Sequence, residues 1–474
     1  MLTGMTTTVY DEVRYSNYPY AQTHPDRLAT VAILHGLEPP DPFRARVLEV
    51  GCGAGGNLLA MAAATPGVRA VGVDLASAPI EEGRAAAAAI GLDNVELRQG
   101  DVRALTDGQL GAFDYVVAHG VYAWIPPDAR QALMALIASH LAPDGLAYVS
   151  YNAHPGGYFR RMLRDAGLWH ARGIADPLER AAKAQELYVF LKEQRMTEAD
   201  TYGALLAREL PALSDGPLYR LVHDDLSDFW EPLWFADFAA HAEAHGLQYV
   251  GEADLSGLRS ELLPEGVEAE VWRFAGGDRI AFEQYSDLMT ARHFRQSVLC
   301  RAGREVAIEP APERAAMLHW AARPHAKPLE VGLVAEAFAE LDRARPRAVS
   351  FAALCSALGA DAVALGAALL DGFRRERLIP HAGPLGAATE PGERPTASPL
   401  ARWQAAQGPD MTSLAYTTVR MEESAARALI ELLDGTRDRA AIRADLRART
   451  GLDLSPEDLE ANLVELTRLF LIQP

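Results

Sequence analysis

The stretch Val47-Leu48-Glu49-Val50-Gly51-Cys52-Gly53-Ala54-Gly55-Gly56-Asn57 decides the fold. It leads a short apolar strand through an acidic residue into a glycine-rich turn, and helix-length text follows to Ala64. Glycine takes positive φ without steric cost and, lacking Cβ, lets main-chain N–H groups approach a ligand closely. A strand, a glycine turn and a helix in that order build a nucleoside-binding edge of a parallel sheet. Gly51, Gly53 and Gly56 also satisfy the GxGxxG spelling of a dinucleotide site, so the glycines alone leave the ligand open.

The acids around the turn narrow it. Glu49 lies two residues before the first glycine, where a carboxylate suits an ammonium group and repels a pyrophosphate. That favours S-adenosylmethionine over NAD. A second apolar strand, RAVGVDLA from Arg69, carries Asp74 at its tip, whose carboxylate suits two ribose hydroxyls. A third, NVELRQGDV from Asn94, ends in Gly100 and Asp101, where an acid suits the exocyclic amine of an adenine. Each acid taken singly also reads as a solvated strand end. Their order after a glycine loop makes the set informative. Cofactor contacts are accordingly expected from Tyr20, Glu49, Gly51, Cys52, Gly53, Gly55 and Asn57 on the first strand and its approaches. Asp74, Leu75, Gly100, Asp101, Val102 and His119 follow on the next strand tips.

These motifs resemble those of class I S-adenosylmethionine-dependent methyltransferases. A longer similarity runs through Tyr15 to Pro25 (YSNYPYAQTHP), His119 to Trp124 (HGVYAW), Glu231 to Phe235 (EPLWF), His245 to Tyr249 (HGLQY), Glu283 to Tyr285 (EQY) and Phe294 to Gln296 (FRQ). It is to methyltransferases carrying a regulatory domain, a family that includes the rickettsial protein lysine methyltransferases acting on outer-membrane proteins. The resemblance implies methyl transfer to nitrogen, with protein lysine as the acceptor and a homodimer in which the helical insert is the interface. A small-molecule or peptide N- or O-methyltransferase is the alternative enzyme, and a non-catalytic cofactor-sensing regulator the alternative outside catalysis.

Composition bounds the rest. A chain of 474 residues accommodates two to four domains. Its three cysteines, Cys52, Cys300 and Cys355, lack disulfide or zinc-finger spacing and are expected to be reduced. No apolar run reaches the about 18 residues of a membrane span, and the first residues lack the pattern of a signal peptide, so a cytoplasmic enzyme without membrane insertion is expected. The net charge of −19 opposes general nucleic-acid binding and suits a cationic or neutral acceptor. No metal site is expected: the Asp224, Asp225 and Asp228 cluster has no matching second set of ligands and reads as a solvated acidic face.

Alternating strands and helices predict an α/β fold, a doubly wound Rossmann-like methyltransferase sheet with a helical insertion, followed by C-terminal α-rich winged-helix-like domains. The expected division is 1–158, the methyltransferase core with an N-terminal lid of Tyr15, Tyr18, Tyr20 and His24, then 159–224, the helical insertion. Residues 225–305 either complete the methyltransferase fold or form a separate regulatory domain. An antiparallel strand beside its parallel neighbours would decide between these. Residues 310–380 and 411–474 read as winged-helix-like modules, more suited to protein than to DNA because acids flank Arg374, Arg375 and Arg377. The proline-rich stretch 381–410 reads as a linker.

Transfer from a sulfonium is an in-line displacement that needs neither metal nor covalent intermediate, so the protein mainly aligns the acceptor and excludes water. A lysine acceptor must lose its proton, which favours an aromatic, desolvating channel. Tyr122 and Trp124, just after the fourth strand, are the expected channel residues, with ordinary packing beneath a loop as the alternative. His119 is the expected orienting or deprotonating group, or else a satisfied strand-end histidine. Tyr151 and Asn152 have access to the same edge. A narrow aromatic tunnel would favour lysine; a broad pocket would favour small molecules.

Overall fold

The computed structural model describes residues 8–15, 18–105, 110–195, 200–254, 263, 266–324, 326–327, 331–386 and 388–474. Ser16 and Asn17, part of the aromatic segment before the fold, lie outside the described residues.

Seven strands form the central sheet: β1 (Arg46–Val50), β2 (Arg69–Asp74), β3 (Val95–Gln99), β4 (Phe113–Ala118), β5 (Leu141–Asn152), β6 (Leu247–Glu252) and β7 (Phe294–Arg301). Their order is β3-β2-β1-β4-β5-β7-β6. β1 pairs in parallel with β2 and β4, so Glu49 lies opposite Gly72 on one side and Val117 on the other. The order reverses at β1 and β4, and in open parallel sheets ligands bind at the carboxyl ends of the strands where this happens. β7 runs antiparallel to both β5 and β6. The two late strands therefore belong to the same sheet as β1 to β5.

Both faces are covered. On one, helices Pro25–Leu34 and Gly56–Ala64 pack over Val47, Tyr115 and Tyr148; on the other, Pro127–His140 and Phe235–Ala244 pack over Leu48, Val116 and Val149. The run Ala85 to Ala89 lies in the helix Ser77–Ile90, which ends on Gly91 at φ 74°. Alanine is the best helix former, and a left-handed glycine is a frequent stop. Gly83 lets this helix close on the glycine turn, since a Cβ there would sit 2.4 Å from the Ala54 carbonyl oxygen.

The insertion is helical, as Gly157–His170, Pro177–Arg195 and Thr201–Ser214 pack around Leu163, Tyr188, Leu206 and Leu210. Beyond the sheet, a three-stranded antiparallel sheet (His319–Ala322, Val349–Ser350, Leu378–His381) and the helices Leu333–Ala344, Phe351–Leu358 and Ala362–Arg374 enclose the buried Trp320. A last unit closes around Leu429, Ile442 and Leu463.

One boundary needs correction. Residues 381–410 are not merely a linker, because Pro399–Gln407 is a helix with Pro399 in its first turn, and its Leu400 and Ala401 are buried. Proline fits the first helical turn, where its missing N–H is not needed, so proline density there marks a helix start. Among the described residues no single helix is long and apolar enough to cross a membrane.

Candidate functional site

A cavity of about 1290 Å³ opens at the carboxyl edge of β1, β2 and β4. Its first wall is the glycine turn. Gly51, Gly53 and Gly55 take φ of 75°, 54° and 71°, and a Cβ on Gly51 would meet Val121 Cγ2 at 2.3 Å. Only glycine gives that turn its shape. Gly51, Cys52 and Gly53 line the cavity, whereas Gly55 sits behind it at the start of Gly56–Ala64, its space closed by Leu97.

Glu49 is buried at the cavity wall, 3% exposed. Its Oε1 accepts from Asn57 Nδ2 at 2.9 Å, while Oε2 is buried with no hydrogen-bond partner among the described residues. Burial pushes its pKa up to about 8, against the smaller opposing effect of the Asn57 bond. A buried, unsatisfied carboxylate oxygen is costly unless a ligand pairs with it. Asn57 Oδ1 in turn accepts from the Tyr20 N–H at 2.9 Å, so the side chain ties the N-terminal segment to the acid.

Asp74 reaches back to the turn. Its Oδ2 accepts from Gly53 N at 2.8 Å and its Oδ1 from Ala76 N at 2.9 Å, which fixes the carboxylate in the cavity wall beside Leu75. Desolvation nevertheless raises its pKa. Asp101 lines the cavity with Gly100 and Val102 and is held by Arg103, whose Nη2 donates at 2.7 Å. That bond depresses the Asp101 pKa.

The third wall holds Tyr20 and His119, with ring centroids 4.1 Å apart. His119 Nδ1 lies 3.0 Å from the Tyr148 hydroxyl, and burial lowers its pKa to about 4. At neutral pH it is an uncharged ring within a hydrogen-bonded wall. Trp124 lines the cavity, and its Nε1 donates to the Asp224 carbonyl at 3.5 Å.

Tyr122 is a correction. It is 1% exposed, its hydroxyl bonds to His241 Nδ1, and its ring packs edge-on against Phe238, so it faces the interior and not the cavity. The short 3-10 turn Tyr122–Trp124 rotates the two aromatics to different sides. Of the neighbouring pair, Asn152 lines the cavity and accepts from Trp230 Nε1 at 3.0 Å, while Tyr151 is buried against Phe238. Tyr15, Tyr18 and Tyr20 border the cavity, but His24 does not: it begins Pro25–Leu34 by accepting from Asp26 N and packs on Tyr416.

The far wall was not legible in the sequence. Asp225 is 5% exposed, far from a solvated acidic face, and is paired by Arg160 through Nε at 2.5 Å and Nη2 at 2.9 Å. Asp224 also lines the cavity and takes a 3.4 Å bond from the Tyr15 hydroxyl. Both stand on a π-helical turn, Leu221–Asp225, a rare geometry that recurs at functional sites. Among the described residues no group of three or more His, Cys, Asp or Glu is placed to hold a metal ion.

Family models match three parts of the chain: "Methyltransferase domain" at 47–145, "Predicted methyltransferase regulatory domain" at 218–301 and "PKMT, C-terminal winged helix domain" at 393–452. The uncharacterized protein RP028 of Rickettsia prowazekii is 30% identical over 234 residues, 49% of this chain and 93% of that protein. The chain belongs to the class I S-adenosylmethionine-dependent methyltransferases with a regulatory domain. A second relative, the uncharacterized protein RP789 of the same organism, is 34% identical over 61% of this chain and 52% of its own length. The chain thus spans about half of that relative. The fold is also that of PKMT2 from Rickettsia typhi, solved in complex with AdoHcy, with a TM-score of 0.82 at 22% identity over 97% of this chain and 99% of the other. In this methyltransferase the region matched as regulatory, 218–301, supplies the π-helical turn, β6 and β7. It carries one wall of the cavity.

Proposed function

We propose that this methyltransferase transfers the methyl group of S-adenosylmethionine to nitrogen, with the lysine side chain of a protein as acceptor. The observation that carries the reading is one cavity lined by two unlike sets of groups. The glycine turn and the buried Glu49 belong to its lining, and so do Trp124, Trp230 and Asp224. The volume exceeds the roughly 300–1,000 Å³ of common small-ligand pockets, which suits a cofactor and an acceptor together.

The residues present fit the cofactor. Glu49 Oε2 would take the ammonium, Asp74 the ribose hydroxyls and Asp101 the adenine amine, with the uncharged rings of Tyr20 and His119 lining the same cavity. When bound, the cofactor would supply an electrophilic methyl: the lone pair of a lysine amine that has given its ammonium proton to solvent forms the nitrogen–carbon bond as the carbon–sulfur bond breaks and S-adenosylhomocysteine leaves. The chain's own task is to orient the acceptor and strip its water. A cationic acceptor fits the net charge of −19 and the acidic far wall. The likeness to PKMT2 and to the PKMT winged helix supports a protein lysine acceptor.

A second reading, a small-molecule acceptor, has one observation in its favour: the cavity is broad, where a dedicated lysine channel would be narrow. Incubation with labelled cofactor and a bacterial protein extract separates the two. Label on protein lysines is the outcome expected here; label confined to the small-molecule fraction favours the second reading.

A further inference from the structure

The two acids of the π-helical turn are adjacent in sequence and opposite in circumstance. Asp225 is sealed by the bidentate Arg160 guanidinium. Asp224 has no such partner. Its ion pair with Arg220 is long, 3.8 Å and beyond hydrogen-bond distance, and the two side chains are 51% and 29% exposed. The Tyr15 hydroxyl makes only a long bond to Oδ2 at 3.4 Å. The carboxylate nevertheless borders the cavity, and its backbone carbonyl receives the Trp124 indole, so the acid is anchored beside that aromatic. Tyr20 lies near both acids: burial first, then the Glu49 and Asp224 carboxylates, push its pKa up to about 12.

A half-buried carboxylate held only by a long ion pair, beside aromatic rings, is complementary to an ammonium on an apolar stem. We infer that Asp224 binds the ε-ammonium of the acceptor lysine at the cavity, with Trp124 and Tyr15 against its methylene chain. The inference rests on the lysine reading above and deepens it by naming the residue that selects the acceptor. Asp225 is excluded from that part by Arg160. Tyr10, Tyr15 and Tyr20 from the N-terminal segment, Arg160 from Gly157–His170, and Arg220 and Asp225 beside it are the titratable and charged groups around Asp224. Burial, reinforced by Asp225, raises the Asp224 pKa to about 6, so the carboxylate is ionised at neutral pH.

The test uses the full chain, S-adenosylmethionine and poly-L-lysine, comparing wild type with Asp224→Asn and Asp224→Glu. Binding of the cofactor alone, by calorimetry, is the control for folding. The expected result is a fall of tenfold or more in kcat/KM for Asp224→Asn, carried by KM, with cofactor affinity unchanged and partial recovery in Asp224→Glu. The acid limb of the wild-type kcat/KM profile near pH 6 should vanish in Asp224→Asn. If wild type methylates poly-L-lysine and Asp224→Asn keeps its kcat/KM within twofold, the assignment of Asp224 is overturned and the lysine reading stands. If wild type binds the cofactor but methylates only non-lysine acceptors in an extract, the lysine reading falls and the assignment falls with it.

Discussion

Asn57 donates its side-chain amide to Glu49 Oε1 at 2.9 Å and leaves Oε2 buried without a partner among the described residues. One oxygen of the acid is thereby fixed in place and the other kept available. Asn57 is itself held by Tyr20 and Thr23 from the N-terminal segment and, through its carbonyl, by the Tyr416 hydroxyl from the C-terminal unit. Three parts of the chain distant in sequence converge on the orientation of a single carboxylate.

Glu49→Gln should separate stability from binding. The folded-state pKa of Glu49 is raised from the ordinary 4.5 to about 8, so the group's contribution to stability is fully present below 4.5 and is lost as pH rises through about 8. Glutamine has no charge to bury. Without cofactor, the variant should therefore gain on wild type in melting temperature as pH rises from 5 to 9. Its cofactor affinity should fall by tenfold or more, because a charge-assisted bond to the ammonium is gone. Parallel melting curves across pH, or unchanged affinity in calorimetry, would contradict the role of Glu49.

Asp74→Ala removes the acceptor of the Gly53 and Ala76 N–H groups along with the proposed ribose contact. Cofactor affinity should drop at least tenfold, about 1.4 kcal/mol. Calorimetric titration checks this, and an unchanged dissociation constant is the opposing result.

The buried Arg295 donates to Asp287 at 2.8 Å, Glu252 at 3.0 Å and Glu283 at 3.0 Å, tying β6 and β7 to helix Arg279–Thr290. Arg295→Ala takes the shared cation from three carboxylates, leaving Arg292 beside Glu252 and Asp287, and breaking a buried pair in this way costs about 3–5 kcal/mol in comparable cases. Urea denaturation should show a loss of that order. A loss below about 1 kcal/mol, the scale of an exposed pair, would mean that the network is not needed.

Tyr416→Phe deletes the hydroxyl that reaches the Asn57 carbonyl while keeping the ring against His24. The expected effect is about 1 kcal/mol of stability and a several-fold weaker cofactor affinity, since the helix carrying Asn57 loses an external tether. If affinity is unchanged, the C-terminal unit does not influence the cofactor end through this residue.

The glycine-turn side of the cavity was legible because its signals are local. A strand, a glycine turn and an acid at each of three successive strand tips lie within residues 47–101, and the backbone places them together without help from the rest of the chain. The far wall was not. Trp124 meets Asp224 across a hundred positions, and Asp225 is buried only because Arg160 arrives from the inserted helices. In sequence, three nearby aspartates look like solvated charge. Tyr122 and Trp124 looked equivalent because their spacing says nothing of how a 3-10 turn will rotate them. The prolines of 381–410 carried an ambiguous message, since the same residue that breaks a helix also opens one at Pro399.

The most direct test of the central claim follows the methyl group itself. Purified full-length protein is incubated with methyl-labelled S-adenosylmethionine and a bacterial protein extract, S-adenosylhomocysteine is quantified, and peptides are sequenced by mass spectrometry. The expected result is S-adenosylhomocysteine in step with labelled methyl on lysine side chains, and loss of both in Asp74→Ala. Cofactor binding without any S-adenosylhomocysteine, or label that never appears on lysine, would contradict it.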